Sequence, residues 1–276
     1  MRVGEAVSRL AKALESVSDA PLFEAKQLMA HCLGKRSVGP AEAEELFPGK
    51  YPQDAEDWLK NALERRLNGE PLQYILGEWS FMGLDIAVRP CALIPRQDTE
   101  TLAERALEII KERRASSALD ICTGTGCIAL ALKKLGGVDK VTAADISPEC
   151  CELAMENASR VGVDLEVICT DLFEGLGRYE LITANPPYIP TGELAELQRE
   201  VRREPMLALD GGGDGLGFYR RIAREWTEHI MPGGTLLLEV GAGQARDVAG
   251  LFCGYPTRII KDLCGIDRVV EADYEP

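Results

Sequence analysis

The sequence predicts an α/β protein in which a parallel sheet with covered faces follows a small helical domain. From Ala118 onward, short apolar runs typical of strands alternate with segments of helical periodicity, and this alternation implies parallel strands with helices packed on both faces. Residues 1 to about 75 show only helical spacing. A chain of 276 residues has room for one medium and one small domain. We expect a helical domain over 1–75, a hairpin linker over 76–92 and an α/β domain over 93–276.

The first domain is predicted as a small bundle of helices. In its first helix, apolar residues recur at helical spacing: Val3, Val7, Leu10 and Leu14. Asp19 is the expected N-cap of a second helix, which Gly34 ends. A short helical stretch is expected after Pro40, and a longer helix over about 53–68, with Gly69 as its C-cap. No side chain of this domain indicates a catalytic or binding role. The expectation that the domain docks a partner therefore rests on its architecture alone.

The linker is predicted from a change of period. Residues 74–88 resemble two short strands around Met82-Gly83. The next helix is expected to be capped by Asp98 or Thr99 and to run to about Arg114.

The α/β domain is predicted to contain seven strands and four further helices. Ser147 as N-cap and Pro148 at the first helical position give one helix a strong start signal. The expected strands cover 118–121, 140–145, 165–169, 179–184, 235–240, 258–261 and 268–271, and the helices cover about 127–135, 148–161, 218–230 and 242–251.

A glycine loop joins the first strand of this domain to its helix. The loop reads Asp120-Ile-Cys-Thr-Gly-Thr-Gly126, and Asp145 ends the next strand 19 residues after Gly126. Glycines let the backbone approach a ligand, the helix N-terminus offers free N–H groups, and an acid about 20 residues on binds a ribose diol in Rossmann-like folds. The pattern indicates an adenosine-containing ligand bound by Cys122, Thr123, Gly124, Thr125, Gly126 and Asp145.

The fourth strand ends in Asn185-Pro-Pro-Tyr188. Neither Pro186 nor Pro187 can donate a ladder hydrogen bond, and each fixes φ, so the backbone is stiff with free carbonyls. Asn185 places an amide at the strand end, where open α/β sheets bind ligands. The sequence resembles the motif of methyltransferases that use S-adenosylmethionine to alkylate a planar nitrogen, either a base amine or a side-chain amide.

Composition narrows the classes of function. The net charge of −14 argues against nonspecific nucleic-acid binding, which needs a basic surface. No apolar run reaches the length of a membrane helix, and the N-terminus lacks the apolar centre of a signal peptide, so we expect a cytoplasmic protein. Nine cysteines are expected to be reduced, and two histidines are too few for a zinc site, so no metal is expected.

Nearly the whole chain resembles the peptide release factor glutamine methyltransferases, the HemK or PrmC family. The resemblance rests on the helical N-terminal region, the glycine loop, Asn185-Pro-Pro-Tyr188 and three further stretches: 71–77, 93–100 and 204–216. Two positions depart from the family pattern. Gln97 stands in place of a usual proline and is expected to loosen its loop, and Cys122 stands in place of a common glycine and is expected to have an ordinary backbone angle.

The resemblance implies a class I S-adenosylmethionine-dependent fold and methylation of the glutamine side chain in a Gly-Gly-Gln sequence of release factors. It implies that the Asn185 oxygen and the Pro186 carbonyl accept the two amide hydrogens, that Tyr188 packs on the amide, and that Pro187 also lines the substrate site. It places Asp171 and Leu172 at the adenine, although Asp171 alone could be a solvated turn residue. The resemblance implies a mechanism in which no residue acts as a general base.

Two alternatives remain from the sequence. One is a nucleic-acid adenine methyltransferase, which shares the Asn-Pro-Pro-Tyr motif and which the net charge disfavours. The other is a noncatalytic cofactor-binding assembly factor, which the intact motif disfavours.

Overall fold

The computed structural model describes residues 3–34 and 56–275, and the chain divides into two compact units. The first unit comprises Met1–Trp79 together with Gln198–Arg203, and the second comprises Ser80–Leu197 and Glu204–Pro276. The sequence did not indicate that 198–203 would join the first unit. The helix expected after Pro40 lies outside the described residues, and among those residues no helix has the length and apolar character needed to cross a membrane.

The first unit is helical, as predicted, and its described helices are α1 (Val3–Leu14), α2 (Pro21–Cys32), α3 (Glu56–Leu67) and α4 (Leu72–Leu76). Their apolar faces meet in one core that includes Leu14, Leu28 and Met29. Two expectations were wrong. Ala20, not Asp19, occupies the N-cap of α2 and makes no side-chain cap bond. Residues 74–76 are helical rather than extended, because Pro71 starts a short turn of helix that Gly77 closes in the left-handed conformation.

A buried arginine crosses the core of the first unit. Arg66 is 1% exposed, and its guanidinium pairs with Glu24 at 2.7 Å and with Glu200 at 2.5 Å. It also donates to the carbonyl of Val17 at 3.2 Å. Since Glu200 belongs to the segment 198–203, this ion pair helps to explain why that segment joins the first unit. Arg199 supports it by donating to the carbonyl of Leu67 at 3.3 Å.

The hairpin consists of β1 (Glu78–Phe81) and β2 (Leu84–Ala87), which form a separate two-stranded sheet. Met82 and Gly83 lie at the turn, as predicted, and both have positive φ, 49° and 77°. Positive φ at both central residues is the geometry that matches the twist of paired strands.

The second unit is built on a seven-stranded sheet in the order β5-β4-β3-β6-β7-β9-β8. The first five strands in this order are parallel, whereas β9 is antiparallel to β7 and β8. The strands are β3 (Ser117–Ile121), β4 (Lys140–Asp145), β5 (Glu166–Cys169), β6 (Tyr179–Ala184), β7 (Ile230–Glu239), β8 (Thr257–Lys261) and β9 (Asp267–Asp273). The predicted α/β fold with a mainly parallel sheet is confirmed.

Helices cover both faces of this sheet. They are α5 (Gln97–Arg113), α6 (Cys127–Lys134), α7 (Pro148–Val161), α9 (Gly217–His229) and α10 (Ala245–Leu251), and a short helix, α8 (Met206–Leu209), lies in the connection between β6 and α9. Successive strand residues point to opposite faces, so Leu181 packs with α5 and α6 while Ile182 packs with α9 and α10. The predicted cap of α7 is confirmed, since the Ser147 hydroxyl accepts from the Cys150 N–H. The predicted cap of α5 was wrong, because Arg96 occupies that position without a side-chain cap bond.

Candidate active site

The carboxyl ends of β3, β4 and β6 meet at one edge of the sheet. In the pairing register, Ile121 of β3 lies opposite Ala144 on one side and Ala184 on the other. The chain runs from β3 outward through β4 to β5 and then returns to place β6 on the other side of β3, so this edge is the point at which the strand order switches and where open α/β sheets bind ligands. A cavity enclosing about 1000 Å³, including its open mouth, lies there.

The cavity brings together most of the predicted site residues. Its lining includes Cys122, Thr123, Gly124, Thr125, Asp145, Asp171, Leu172, Asn185 and Pro187. Gly126, Pro186 and Tyr188 do not line it. Other parts of the wall come from residues 91–95, from Thr99, from Leu207 and Ala208, and from Phe218 and Arg221 of α9.

The glycine loop takes an unusual backbone path. Gly124 and Gly126 have φ of 54° and 81°, and a Cβ at Gly126 would lie 3.1 Å from the Cβ of Ala154 on α7. Cys122 has φ of 56°, so the expectation of an ordinary angle was wrong. A non-glycine residue in this region costs about 1–2 kcal/mol. Leu172 has φ of 51° as well. Two strained residues therefore line the same cavity, as is common at functional sites.

A buried carboxylate supports the loop from below. Asp120 is fully buried, and it accepts hydrogen bonds from the hydroxyls of Thr123 at 2.5 Å and Thr183 at 2.7 Å. Burial raises its pKa to about 6, against the opposing effect of these hydroxyls. Asp120 does not line the cavity. Its contacts are those of a support for the loop.

Asp145 holds the loop and still faces the cavity. Its carboxylate accepts the Gly124 N–H at 2.8 Å and the Ser147 N–H at 3.0 Å, one on each oxygen. Burial raises its pKa, while the backbone N–H groups act in the opposite direction. Each carboxylate oxygen can accept a second hydrogen bond. Asp145 therefore retains acceptor positions for a ribose diol, and together with the open glycine backbone it fits an adenosine-containing cofactor.

Asp171 is part of an ion pair at the rim of the cavity. Arg221 of α9 donates to its carboxylate at 2.8 Å, and both side chains are about 40% exposed. The hydrogen bond to Asp171 raises the pKa of Arg221. An exposed pair of this kind contributes little to stability. Asp171 is thus not a free solvated turn residue.

Asn185 is held from the inner side of the cavity. Its Nδ2 donates to the Thr99 hydroxyl at 3.3 Å, and Thr99 is 3% exposed. Glu239, 1% exposed at the end of β7, lies beside Asn185 in the register of the paired strands, and its Oε2 has no hydrogen-bond partner among the described residues. Burial raises the pKa of Glu239 to about 7. Sequence reasoning missed Thr99 and Glu239 as site residues. The sequence held one signal for Glu239, which is an acidic residue at the carboxyl end of an apolar strand.

The backbone after Asn185 is braced by the glycine-rich segment that follows α8. Ile189 donates to the carbonyl of Leu209 at 2.9 Å and accepts from the Gly211 N–H at 2.8 Å. A Cβ at Gly211 would lie 2.7 Å from the Tyr188 Cα, so only glycine fits there. The Tyr188 carbonyl accepts from Gln244 at 2.9 Å. The tyrosine ring packs against the apolar core, and burial raises its pKa to about 12.

Two further buried side chains fix the walls. Glu204, 4% exposed, accepts the Ile94 N–H at 3.0 Å and pairs with Arg96. Asn157 of α7, fully buried, binds the backbone of Ala87 through both ends of its amide and donates to the carbonyl of Thr125 at 2.9 Å. The segment before the glycine loop and the loop itself are therefore fixed by side chains distant in the sequence.

Comparisons with known proteins give consistent matches. The model for the methyltransferase small domain matches residues 99–214, and the model for the PrmC N-terminal domain matches residues 5–77. A release factor glutamine methyltransferase from Geobacter sulfurreducens is 43% identical over 90% of this chain and 88% of its own length. One from Cereibacter sphaeroides is 41% identical over 99% of this chain and 98% of its own. A methyltransferase from Pyrococcus furiosus shares the fold, with a TM-score of 0.53 and 21% identity over 79% of this chain and all of its own.

Proposed function

Because the chain belongs to the release factor glutamine methyltransferase family, we propose that it methylates the side-chain amide nitrogen of the glutamine in the Gly-Gly-Gln sequence of peptide chain release factors. It is an S-adenosylmethionine-dependent enzyme with a methyltransferase domain. The observation that carries the proposed role of the site is the hydrogen bond from the Asn185 Nδ2 to Thr99. With its NH₂ engaged there, the amide oxygen of Asn185 is the group left for a substrate in the cavity.

The residues that hold the cofactor are those of the glycine loop and the strand ends. Asp145 accepts hydrogen bonds from the ribose hydroxyls, and the backbone of the loop over 122–126 lies close to the cofactor. Asp171 and Leu172 lie at the adenine ring. When bound, S-adenosylmethionine supplies an electrophilic methyl group. The family pattern assigns these contacts residue by residue, and the cavity lining supports them because it includes all of these residues except Gly126.

The acceptor amide is held by Asn185 and Pro186. The Asn185 oxygen and the Pro186 carbonyl accept its two hydrogens, which aligns a weakly nucleophilic nitrogen and stabilises positive charge that develops on it. Pro187 lines the cavity, whereas the Tyr188 ring packs against the apolar core, so packing of that ring on the amide plane rests on the family pattern alone. This arrangement supplies alignment and charge stabilisation, and no side chain is assigned as a general base.

A protein substrate also suits the charge of the chain. The net charge of −14 disfavours the adenine methyltransferase alternative, because binding to duplex DNA or bulk RNA requires neutralisation of phosphates. A pull-down with DNA over a range of salt concentrations would reveal such binding.

The test is transfer of label from S-adenosylmethionine to a purified release factor, with the modified peptide identified by mass spectrometry. We expect one methyl group on the glutamine of Gly-Gly-Gln, and none on a factor in which that glutamine is replaced by alanine. Label in nucleic acid, or no label in the release factor, would refute the proposal. No transfer to any component of a cell extract would favour the noncatalytic alternative.

The first unit is expected to dock the release factor rather than to bind the cofactor. All the cofactor signals lie after residue 90 in the sequence. A protein lacking residues 1–75 should keep its cofactor affinity and show a raised KM for the whole release factor, whereas its rate on a short Gly-Gly-Gln peptide should not change. Unchanged kinetics with the whole factor, in a truncated protein that is folded by circular dichroism, would contradict the docking role.

A further inference from the structure

Gln244 joins the backbone that follows Asn185 to the backbone that follows β7. It is half-buried at the N-cap position of α10, but its side-chain amide bonds to two loops outside that helix. Its Nε2 donates to the Tyr188 carbonyl at 2.9 Å, and its Oε1 accepts the Gly241 N–H at 3.0 Å. Gln244 lies outside the cavity lining, so an effect on the reaction must pass through these backbone groups.

The two partners fix the orientation of the Gln244 amide. A backbone N–H group can only donate a hydrogen bond, and a backbone carbonyl can only accept one. The flipped amide would place its NH₂ against the Gly241 N–H and its oxygen against the Tyr188 carbonyl, so both bonds would be lost. Gln244 therefore holds the Tyr188 carbonyl in one position relative to the end of β7.

Glycines pack directly against this bridge. A Cβ at Gly215 would overlap the Tyr188 carbonyl oxygen and would lie 2.6 Å from the Gln244 Nε2. Gly215 also has a φ of 75°, a conformation that glycine adopts without steric cost. A Cβ at Gly211 would lie 2.7 Å from the Tyr188 Cα, and one at Gly241 would lie 2.6 Å from the Gln244 Oε1. Close approach of three glycines thus leaves the Tyr188 backbone and the Gln244 amide little room to move.

The segment between β6 and this bridge is short. Upstream, Ala184 is paired in the sheet with Ile121 of β3 and with Leu238 of β7. Downstream, the Tyr188 carbonyl is held by Gln244, so only residues 185–187 lie between two fixed points. Two of these three are prolines, whose rings fix φ near −65°. A displacement of Tyr188 is therefore transmitted to the Pro186 carbonyl and to Asn185, which lines the cavity.

We propose that Gln244 is a positioning residue, which acts through the Tyr188 carbonyl to fix the backbone of residues 185–187. It thereby holds the Asn185 side chain and the Pro186 carbonyl where they accept the two hydrogens of the substrate amide. The inference deepens the proposed function, since it rests on these two acceptors. Alignment is the main service that the site offers a weakly nucleophilic nitrogen, so loss of the bridge acts on the rate of transfer.

The kinetic test is single-turnover methyl transfer to a Gly-Gly-Gln-containing release factor by Gln244→Met, which keeps nearly the same shape and removes both hydrogen-bonding groups. At saturating cofactor and release factor, the rate should fall about 10- to 10²-fold, because a displacement of about 1 Å can cost roughly 10²-fold. KM for the release factor and cofactor affinity should change less than about threefold. A rate within about twofold of wild type, or a loss confined to KM or cofactor affinity, would overturn the positioning role.

A second variant isolates the donor to Tyr188. Gln244→Glu keeps an oxygen that can accept the Gly241 N–H, but an ionised carboxylate cannot donate to the Tyr188 carbonyl. At pH 8 its rate should be as low as that of Gln244→Met. A wild-type rate in Gln244→Glu would show that the bond to Gly241 suffices and would overturn the role of the Tyr188 bond.

A third readout does not depend on catalysis. In the protein without cofactor or substrate, the ¹³C shift of the Tyr188 carbonyl should move upfield in Gln244→Met, because that carbonyl loses its donor. The signal of the Pro186 carbonyl should shift or broaden with it, since both belong to the same short segment. A Pro186 signal identical to that of the wild type would overturn the proposal.

The matched control is Arg178→Met. Arg178 is exposed just before β6 and donates to the Glu228 carbonyl at 3.0 Å, so its variant removes a side-chain donor to a backbone carbonyl at the other end of the same strand. Its transfer rate and its Pro186 signal should match the wild type, and a loss of rate equal to that of Gln244→Met would overturn a specific role for Gln244. If the wild type does not methylate the release factor while Gln244→Met alone moves the Pro186 signal, the proposed function fails and the positioning of the segment stands.

Discussion

Two substitutions of Asn185 test its two hydrogen-bonding roles, the proposed acceptor from the substrate amide and the donor to Thr99. Asn185→Ala removes the oxygen that would accept from the substrate, and loss of one such preorganised group costs about 10²–10³ in rate, or roughly 3–4 kcal/mol. Asn185→Asp keeps an acceptor oxygen and the shape, but it cannot donate when ionised. In the structure Asn185 does donate, to Thr99 at 3.3 Å. We therefore expect both variants to be poor.

The aspartate variant carries an additional penalty from Glu239. Asn185 follows Ala184, which pairs with Leu238 of β7, so an aspartate at position 185 would lie beside the buried Glu239. Two unit charges about 4 Å apart at an effective dielectric constant of 20 interact by roughly 4 kcal/mol. This repulsion equals about three pKa units, so at pH 7 the two carboxyl groups are expected to share one proton rather than ionise together. The shared proton would disrupt the orientation of both side chains.

The assay is single-turnover transfer to the release factor at saturating cofactor, with cofactor affinity measured by calorimetry. We expect Asn185→Ala and Asn185→Asp to fall at least 10²-fold with cofactor affinity nearly intact. Asn68→Asp, which adds the same charge at an exposed position of the first unit, is the control and should match the wild type. A rate for Asn185→Asp within tenfold of wild type would refute the donor role, and a wild-type rate for Asn185→Ala would refute the mechanism.

Two further predictions concern cofactor binding and stability. Asp145→Ala should weaken cofactor binding about 10²-fold or more by calorimetry, because charge-assisted hydrogen bonds contribute about 1.5–3 kcal/mol each and the variant also frees the Gly124 N–H; unchanged affinity would remove Asp145 from the site. Arg66→Ala should lower the free energy of unfolding of the first unit by about 3–5 kcal/mol in urea titrations, because it leaves Glu24 and Glu200 without their buried partner; a loss below about 1 kcal/mol would mean that water replaces the arginine.

The sequence predicted most of the α/β architecture because its signals are local. Ser147-Pro148 starts α7 through contacts within one turn, and Met82-Gly83 fits a two-residue hairpin turn by backbone preference alone. The predictions that failed depend on contacts distant in sequence. Thr99 was assigned to a helix cap, yet its hydroxyl is used by Asn185, 86 residues later. The backbone angle of Cys122 is set by the loop around it, which a single residue type does not reveal.

Within the candidate site, the sequence could predict only residues of the glycine loop and of the strand ends. Asp145 and Asn185 follow apolar strands, so their position at the sheet edge follows from topology. The residues that orient them, such as Asn157 and Glu204, lie on other elements and carry no motif of their own. Their roles depend on tertiary packing, which brings together residues that periodicity treats as independent.

The choice of an amide at position 185 follows from what surrounds it. Three strands of the sheet carry a carboxylate at or near their carboxyl ends, Asp120, Asp145 and Glu239. A fourth carboxylate at the end of β6 would adjoin Glu239 and would offer acceptors only, whereas lysine or arginine would offer donors only. An amide presents a donor to the Thr99 hydroxyl and an acceptor to the cavity at once. A hydroxyl that accepts on the inner side and a hydrogen-donating substrate on the outer side are therefore both matched by asparagine, which is why we expect Asn185→Asp to fail although it preserves shape.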